Sequence, residues 1–170
     1  MIDHAMIDTR DIAHSLAALF SELTDGASLE EGQAFMLNPG DVGLLRSLDA
    51  LSAEAASRRS LGGAPIAAHV DHLRYGLSLM NRWASGENPY TDADWSASWK
   101  KRAVTDAEWA DLRAALRDES RRWRDALDDR RDVDDAGLKA MVGSIAHLAY
   151  HLGAIRQINK DARGPKEGTF

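Results

Sequence analysis

Apolar residues recur along this chain at spacings of three and four, the period of an amphipathic helix, and hardly anywhere alternate as a strand would require. Ile12, Leu16, Leu19 and Phe20 share one helical face and predict a helix from about Thr9 to Leu23, stopped near Asp25-Gly26. Ser28-Leu29-Glu30-Glu31 has the form of a capping box and predicts a short accessory helix ending before Asn38-Pro39-Gly40. Asp41 is placed to cap a helix running to about Arg58, with Leu44, Leu45, Leu48 and Leu51 inward. Gly62-Gly63-Ala64-Pro65 breaks the chain, and Pro65 suits the first turn of a helix reaching about Ser85. The inward face of that helix reads Ile66, Val70, Leu73, Leu77 and Met80.

A tryptophan-bearing connection from Gly86 to Ala103 leads to a second capping box, Thr105-Asp106-Ala107-Glu108, which opens a helix to about Asp128. The last helix starts near Asp134 and runs to about Lys160, with Leu138, Met141, Val142, Ile145, Ala149 and Leu152 as its main apolar stripe. From Asp161 onward, with Gly164-Pro165 and Gly168, the chain is expected to fray. The pattern therefore predicts an all-α fold, an antiparallel four-helix bundle with a short accessory helix. Residues 1–162 are expected to form a single domain, and 163–170 a flexible tail.

Composition narrows the chemistry more than the fold. The 170 residues contain no cysteine, which excludes disulfides, thiolate metal ligands and a cysteine nucleophile. Any transition-metal site must use His, Asp or Glu. A net charge of −6 argues against broad contact with nucleic acid phosphates. No apolar run reaches the length of a membrane span, and Met1-Ile2-Asp3-His4 lacks the basic and apolar regions of a signal peptide, so a cytoplasmic location is expected.

The residues with chemistry are histidines. His147 and His151 stand four apart in the last helix, within roughly 40° of each other on one face, so both imidazoles can reach one ion. They lie beside the apolar stripe, on a row with the small residues Ala140 and Ser144. A third nitrogen could come from His69 or His72 in the helix after Pro65. His69 lies nearer the centre of the inward face and His72 on its flank, and periodicity does not choose between them. Three imidazoles without a fourth protein ligand make a metal site that stays open to water or substrate. Position 148 is Leu, which excludes the HExxH arrangement with its general-base glutamate. His4 and His14 read as surface or packing residues, and Trp95 and Trp99 as packing over the core.

Ile66-Ala67-Ala68-His69-Val70-Asp71-His72-Leu73 in one helix, followed by His147-x-x-x-His151-Leu152-Gly153-Ala154-Ile155 in the last, resembles the DinB-like superfamily. Its members are bacterial four-helix bundles holding a divalent metal with one histidine from the second core helix and two from the fourth. The resemblance implies the ligand set His72, His147 and His151, with His69 the alternative to His72. It implies a divalent metal; Zn or Ni is expected from the all-imidazole ligand set, and a small molecule is the expected substrate. Ala154 departs from the family's usual glutamine. Some relatives are transferases or isomerases dependent on a low-molecular-weight thiol, so the resemblance implies such an S-transferase or isomerase, or a hydrolase. His69 or Asp71 would then back the ligands or carry protons. The competing expectation is a non-catalytic stress-response module that binds a small ligand or dimerises; a homodimer is compatible with either.

Overall fold

The computed structural model describes residues 9–30, 33–59, 63–101, 103–129 and 132–165. Among them there are helices and no strands. The long helices are α1 (Thr9–Asp25), α4 (Ile66–Ala84), α5 (Asp106–Asp128) and α6 (Asp135–Ile158), with short α2 (Gly43–Asp49) and α3 (Ala53–Ser57) between the first two. α4 packs on α5 and α6, and α1 packs on the same two helices. The core they enclose includes Phe20, Leu44, Ile66, Leu116, Trp123, Leu148 and Ile155, each at most 1% exposed. No helix of the described residues is long and apolar enough to cross a membrane.

Side-chain caps fix several boundaries. Thr105 accepts from the Glu108 N–H while the Glu108 carboxylate accepts from the Thr105 N–H, the reciprocal box expected at the start of α5. Asp134 accepts from the Gly137 N–H and starts α6. Pro65 is itself the N-cap of α4, one position before the first turn.

Three expectations need correction. The described part of 26–42 forms no helix, because its backbone donors are engaged elsewhere. Glu22, on α1 and 8% exposed, accepts from the N–H groups of Phe35, Met36 and Leu37 at 2.6 to 3.1 Å. Ser28 Oγ accepts from Glu30 N, two residues on, which makes a turn and no helix cap. The segment closes where Gly26 (φ +110°) and Gly43 (φ +72°) meet backbone to backbone; a Cβ on Gly26 would strike the Asp41 carbonyl.

The helix expected from 41 to 58 is split into α2 and α3. Ser52 accepts from Ala55 N to cap α3, and the Leu51 carbonyl at the break accepts from Trp109 Nε1. On α6, Leu138 and Val142 are exposed, and the buried row is Met141, Ile145, Leu148, Leu152 and Ile155. Beyond α6, Asp161, Arg163 and Pro165 are exposed. Ala162 is fully buried, and Arg163 Nε donates to the Arg156 carbonyl. Residues 166–170 of the expected tail, and His4, lie outside the described residues.

Glu22 gives a direct test of this local account. Glu22→Ala should lower unfolding free energy by about 3 kcal/mol in urea denaturation, since three backbone donors lose a charged acceptor. Glu22→Gln, which keeps one acceptor oxygen, should lose less.

Candidate metal centre

α4 and α6 lie against each other with their histidines turned inward. On α4, the row Ile66, Val70, Leu73 and Leu77 enters the core and carries His72 with it, only 7% exposed. His69, the residue expected nearer the centre, is the more exposed of the two. α6 brings His151, 2% exposed, and the half-buried His147 one turn earlier.

Three ring nitrogens converge. His147 Nε2 lies 3.1 Å from His72 Nε2 and 2.9 Å from His151 Nε2. One nitrogen from each of His72, His147 and His151 falls within 4.8 Å of the others. His69 is not in this group. Its Nδ1 meets His151 Nδ1 at 2.9 Å, behind the convergence point. Asp71 is also turned away, its carboxylate accepting from Arg74 Nε at 3.0 Å. His14 is exposed on α1 and contacts Asp128.

The connection between α4 and α5 supplies a residue that sequence reasoning passed over. Ser98, 4% exposed, donates its hydroxyl to the Trp95 carbonyl at 2.8 Å. Its oxygen is therefore the acceptor for His72 Nδ1–H, also at 2.8 Å. Nothing in Asp94-Trp95-Ser96-Ala97-Ser98-Trp99 marks Ser98 apart from Ser96 until the turn places one of them under the histidine. Trp99 stacks on the His72 ring, with centroids 4.3 Å apart, and meets His69 edge-on. Asp94 holds the turn by accepting from Ser96 and Ala97; these bonds, the Ser96 hydroxyl first, pull its carboxyl below the usual range. Tyr75 Oη fastens the loop to α4 by accepting from the Asp94 N–H.

These contacts assign the tautomers. With His72 Nδ1–H committed to Ser98, His72 Nε2 is a bare lone pair and must accept from His147 Nε2. A proton on His151 Nε2 would then point at the His147 proton. His151 therefore carries its proton on Nδ1 and donates it to His69, leaving Nε2 bare as well. Three nitrogens meet with one proton between them.

Burial keeps the group neutral. The His151 imidazole is pushed down to about 3, by burial first and then by His147, His69 and His72. His72 is pushed down to about 4 by burial, then His147 and His69, against an opposing pull from Asp71. Burial also lowers His69 and His147. Neutral imidazoles are what a borderline divalent cation takes as ligands, and His147 would free its Nε2 lone pair by carrying its proton on Nδ1 instead. A cation bound at 2.0–2.1 Å in tetrahedral geometry separates its nitrogens by about 3.3 Å, close to the spacings here. The three residues can hold a metal ion.

The sequence pattern of the DinB superfamily matches residues 43–155, from the start of α2 almost to the end of α6. The chain belongs to the DinB superfamily. No curated protein and no solved structure matches it significantly. The match contains His69, His72, His147, His151 and Ser98, so the whole histidine group lies within the DinB region, whereas α1 lies before it.

Proposed function

We propose that this DinB protein is a metal-dependent enzyme acting on a small molecule, with a divalent ion held by His72, His147 and His151. The observation that carries the reading is the convergence of three imidazole Nε2 atoms, with His147 Nε2 3.1 Å from His72 Nε2 and 2.9 Å from His151 Nε2. Three imidazole nitrogens aimed at one point are the donor set a borderline divalent cation takes. We read the mutual packing of α1, α4, α5 and α6 as the family's antiparallel four-helix bundle, whose core commonly places ligand side chains from facing helices.

Zn²⁺ or Ni²⁺ suits the all-imidazole set. When bound, such an ion would lower the pKa of coordinated water or stabilise a thiol as its thiolate. The protein's own residues do the positioning. Ser98 and His69 take the Nδ1 protons of His72 and His151, which turns both Nε2 lone pairs toward the ion. Trp99 covers His72 and keeps bulk water from that side. The half-buried His147 leaves the site an approach from outside. No cysteine exists in the chain, so a nucleophilic sulfur would have to arrive on a small thiol, consistent with an S-transferase or isomerase. Hydrolysis through coordinated water is the other outcome of the same geometry.

Titration of metal-free, tag-free protein with Zn²⁺ and Ni²⁺ tests the reading. It predicts saturation at one ion per chain; protein that stays substoichiometric in excess metal would refute it. Ser98→Ala should weaken binding about 10–100-fold, because His72 then loses the acceptor that fixes its tautomer. Ser98→Thr, which keeps the hydroxyl, should restore most of the affinity.

A further inference from the structure

A recess of about 240 Å³ runs between α4, α6 and the tryptophan loop and ends at His147. Leu73, Leu77, Met80, Trp95 and Ala140 form most of its wall. The few polar atoms there already have partners. Ser144 Oγ donates to the Met141 carbonyl and accepts from Trp123 Nε1, while Tyr90 Oη contacts Met80 Sδ. No Asp, Glu, Lys or Arg lines it. The imidazole of His147 is the one polar feature left to meet a ligand. Larger hollows elsewhere, between α4 and α5 and beside Arg156, are lined by charged side chains and do not reach the histidines.

Two glycines shape this space. Gly76 lies under the Trp95 ring, where a Cβ would sit 3.6 Å from it. Gly143 is exposed at the rim, and a Cβ built there meets nothing within 4 Å. Glycine inside a helix is unfavourable relative to alanine, so its presence in mid-α6 leaves open space at a cost in stability.

We infer that the substrate carries an uncharged apolar group, about the size of a phenyl ring or a six-carbon chain, that seats in this recess while its polar end faces the ion, and that Gly143 sets the size limit. An apolar cavity of roughly 150 Å³ already holds benzene, so the volume is sufficient. Charged groups are excluded because nothing in the wall would replace their hydration. The inference rests on the metal-dependent reading above.

Binding of acetohydroxamate, butanohydroxamate and hexanohydroxamate to Zn²⁺-loaded protein measures the recess against a constant metal-binding head. Affinity should rise about three- to fourfold per added methylene. A terminal carboxylate on the six-carbon chain should remove the gain. Gly143→Leu should flatten the series to the acetohydroxamate value while leaving Zn²⁺ affinity unchanged. Gly143→Ala should raise Tm by about 2 °C and reduce the gain only for the longest chain. Affinity independent of chain length, or a gain that survives Gly143→Leu, overturns the inference. Should the protein fail to take up Zn²⁺, the metal reading fails and the recess is still decided by 1-hexanol added to metal-free protein. Shifts of the Trp95 indole and Ser144 amide resonances, lost in Gly143→Leu, support it; their absence in the wild type overturns it.

Discussion

Replacing His147 with alanine should weaken Zn²⁺ or Ni²⁺ binding by about 300-fold, because one imidazole ligand carries roughly a quarter of the binding free energy of a four-coordinate site. His147 Nε2 is the atom both other histidines approach, at 3.1 and 2.9 Å, so no remaining pair can reproduce the site. The metal-free variant should stay folded. His147 is half-buried, and water can satisfy the lone pairs of His72 and His151 that it leaves behind. Calorimetric titration with the metal, alongside urea denaturation without it, separates the two effects. His69→Ala should fall between wild type and His147→Ala, weakening binding about 10–100-fold, because it only orients His151. His14→Ala should change nothing. If His69→Ala removed binding as completely as His147→Ala, the roles assigned on α4 would be reversed.

The second large effect is on pH. The folded-state imidazoles of His151 and His72 lie at about 3 and about 4, below their ordinary 6.5. Below pH 6.5 the unfolded chain takes up protons that the native protein refuses, so acid favours unfolding. The stability these neutral histidines contribute is complete above 6.5 and is lost as pH falls through about 4 for His72 and about 3 for His151. Two such groups give a slope of up to about 2.7 kcal/mol per pH unit, and His69 and His147, also lowered, add to it. Urea midpoints of the metal-free protein between pH 7.5 and 5 measure this. His151→Asn should flatten the slope visibly, and an unchanged slope in that variant would show that the cluster is not buried and neutral.

Much of this was legible in the residue pattern because it depends on local period and local caps. The Thr105–Glu108 box, the Asp134 cap and the inward face of α4 need only neighbours three and four residues away. So does the His147–His151 pair, which any regular helix brings onto one face. The accessory helix after Ser28 failed for a reason beyond helical spacing: Glu22, in the last turn of α1, takes the N–H groups of Phe35, Met36 and Leu37, 13 to 15 residues on. The split between α2 and α3 likewise depends on Trp109, across the core from Leu51. Leu138 and Val142 looked like core because period alone does not say how wide a helix's buried face is.

The choice between His69 and His72 shows the same divide. Helical spacing favoured neither, since both lie near the inward face. The structure distinguishes their contacts through α6 and the tryptophan loop, where His72 Nδ1 meets Ser98 and His69 Nδ1 meets His151 Nδ1. Ser98 became visible only once the turn at Asp94 had placed it.

X-ray absorption at the metal edge of Zn²⁺- or Ni²⁺-loaded protein tests the central claim most directly. The account predicts three imidazole nitrogens at about 2.0–2.1 Å and at least one further light-atom ligand from solvent, with the imidazole count falling to two in His147→Ala. A fourth protein ligand closing the site, or an imidazole count unaffected by His147→Ala, would contradict it.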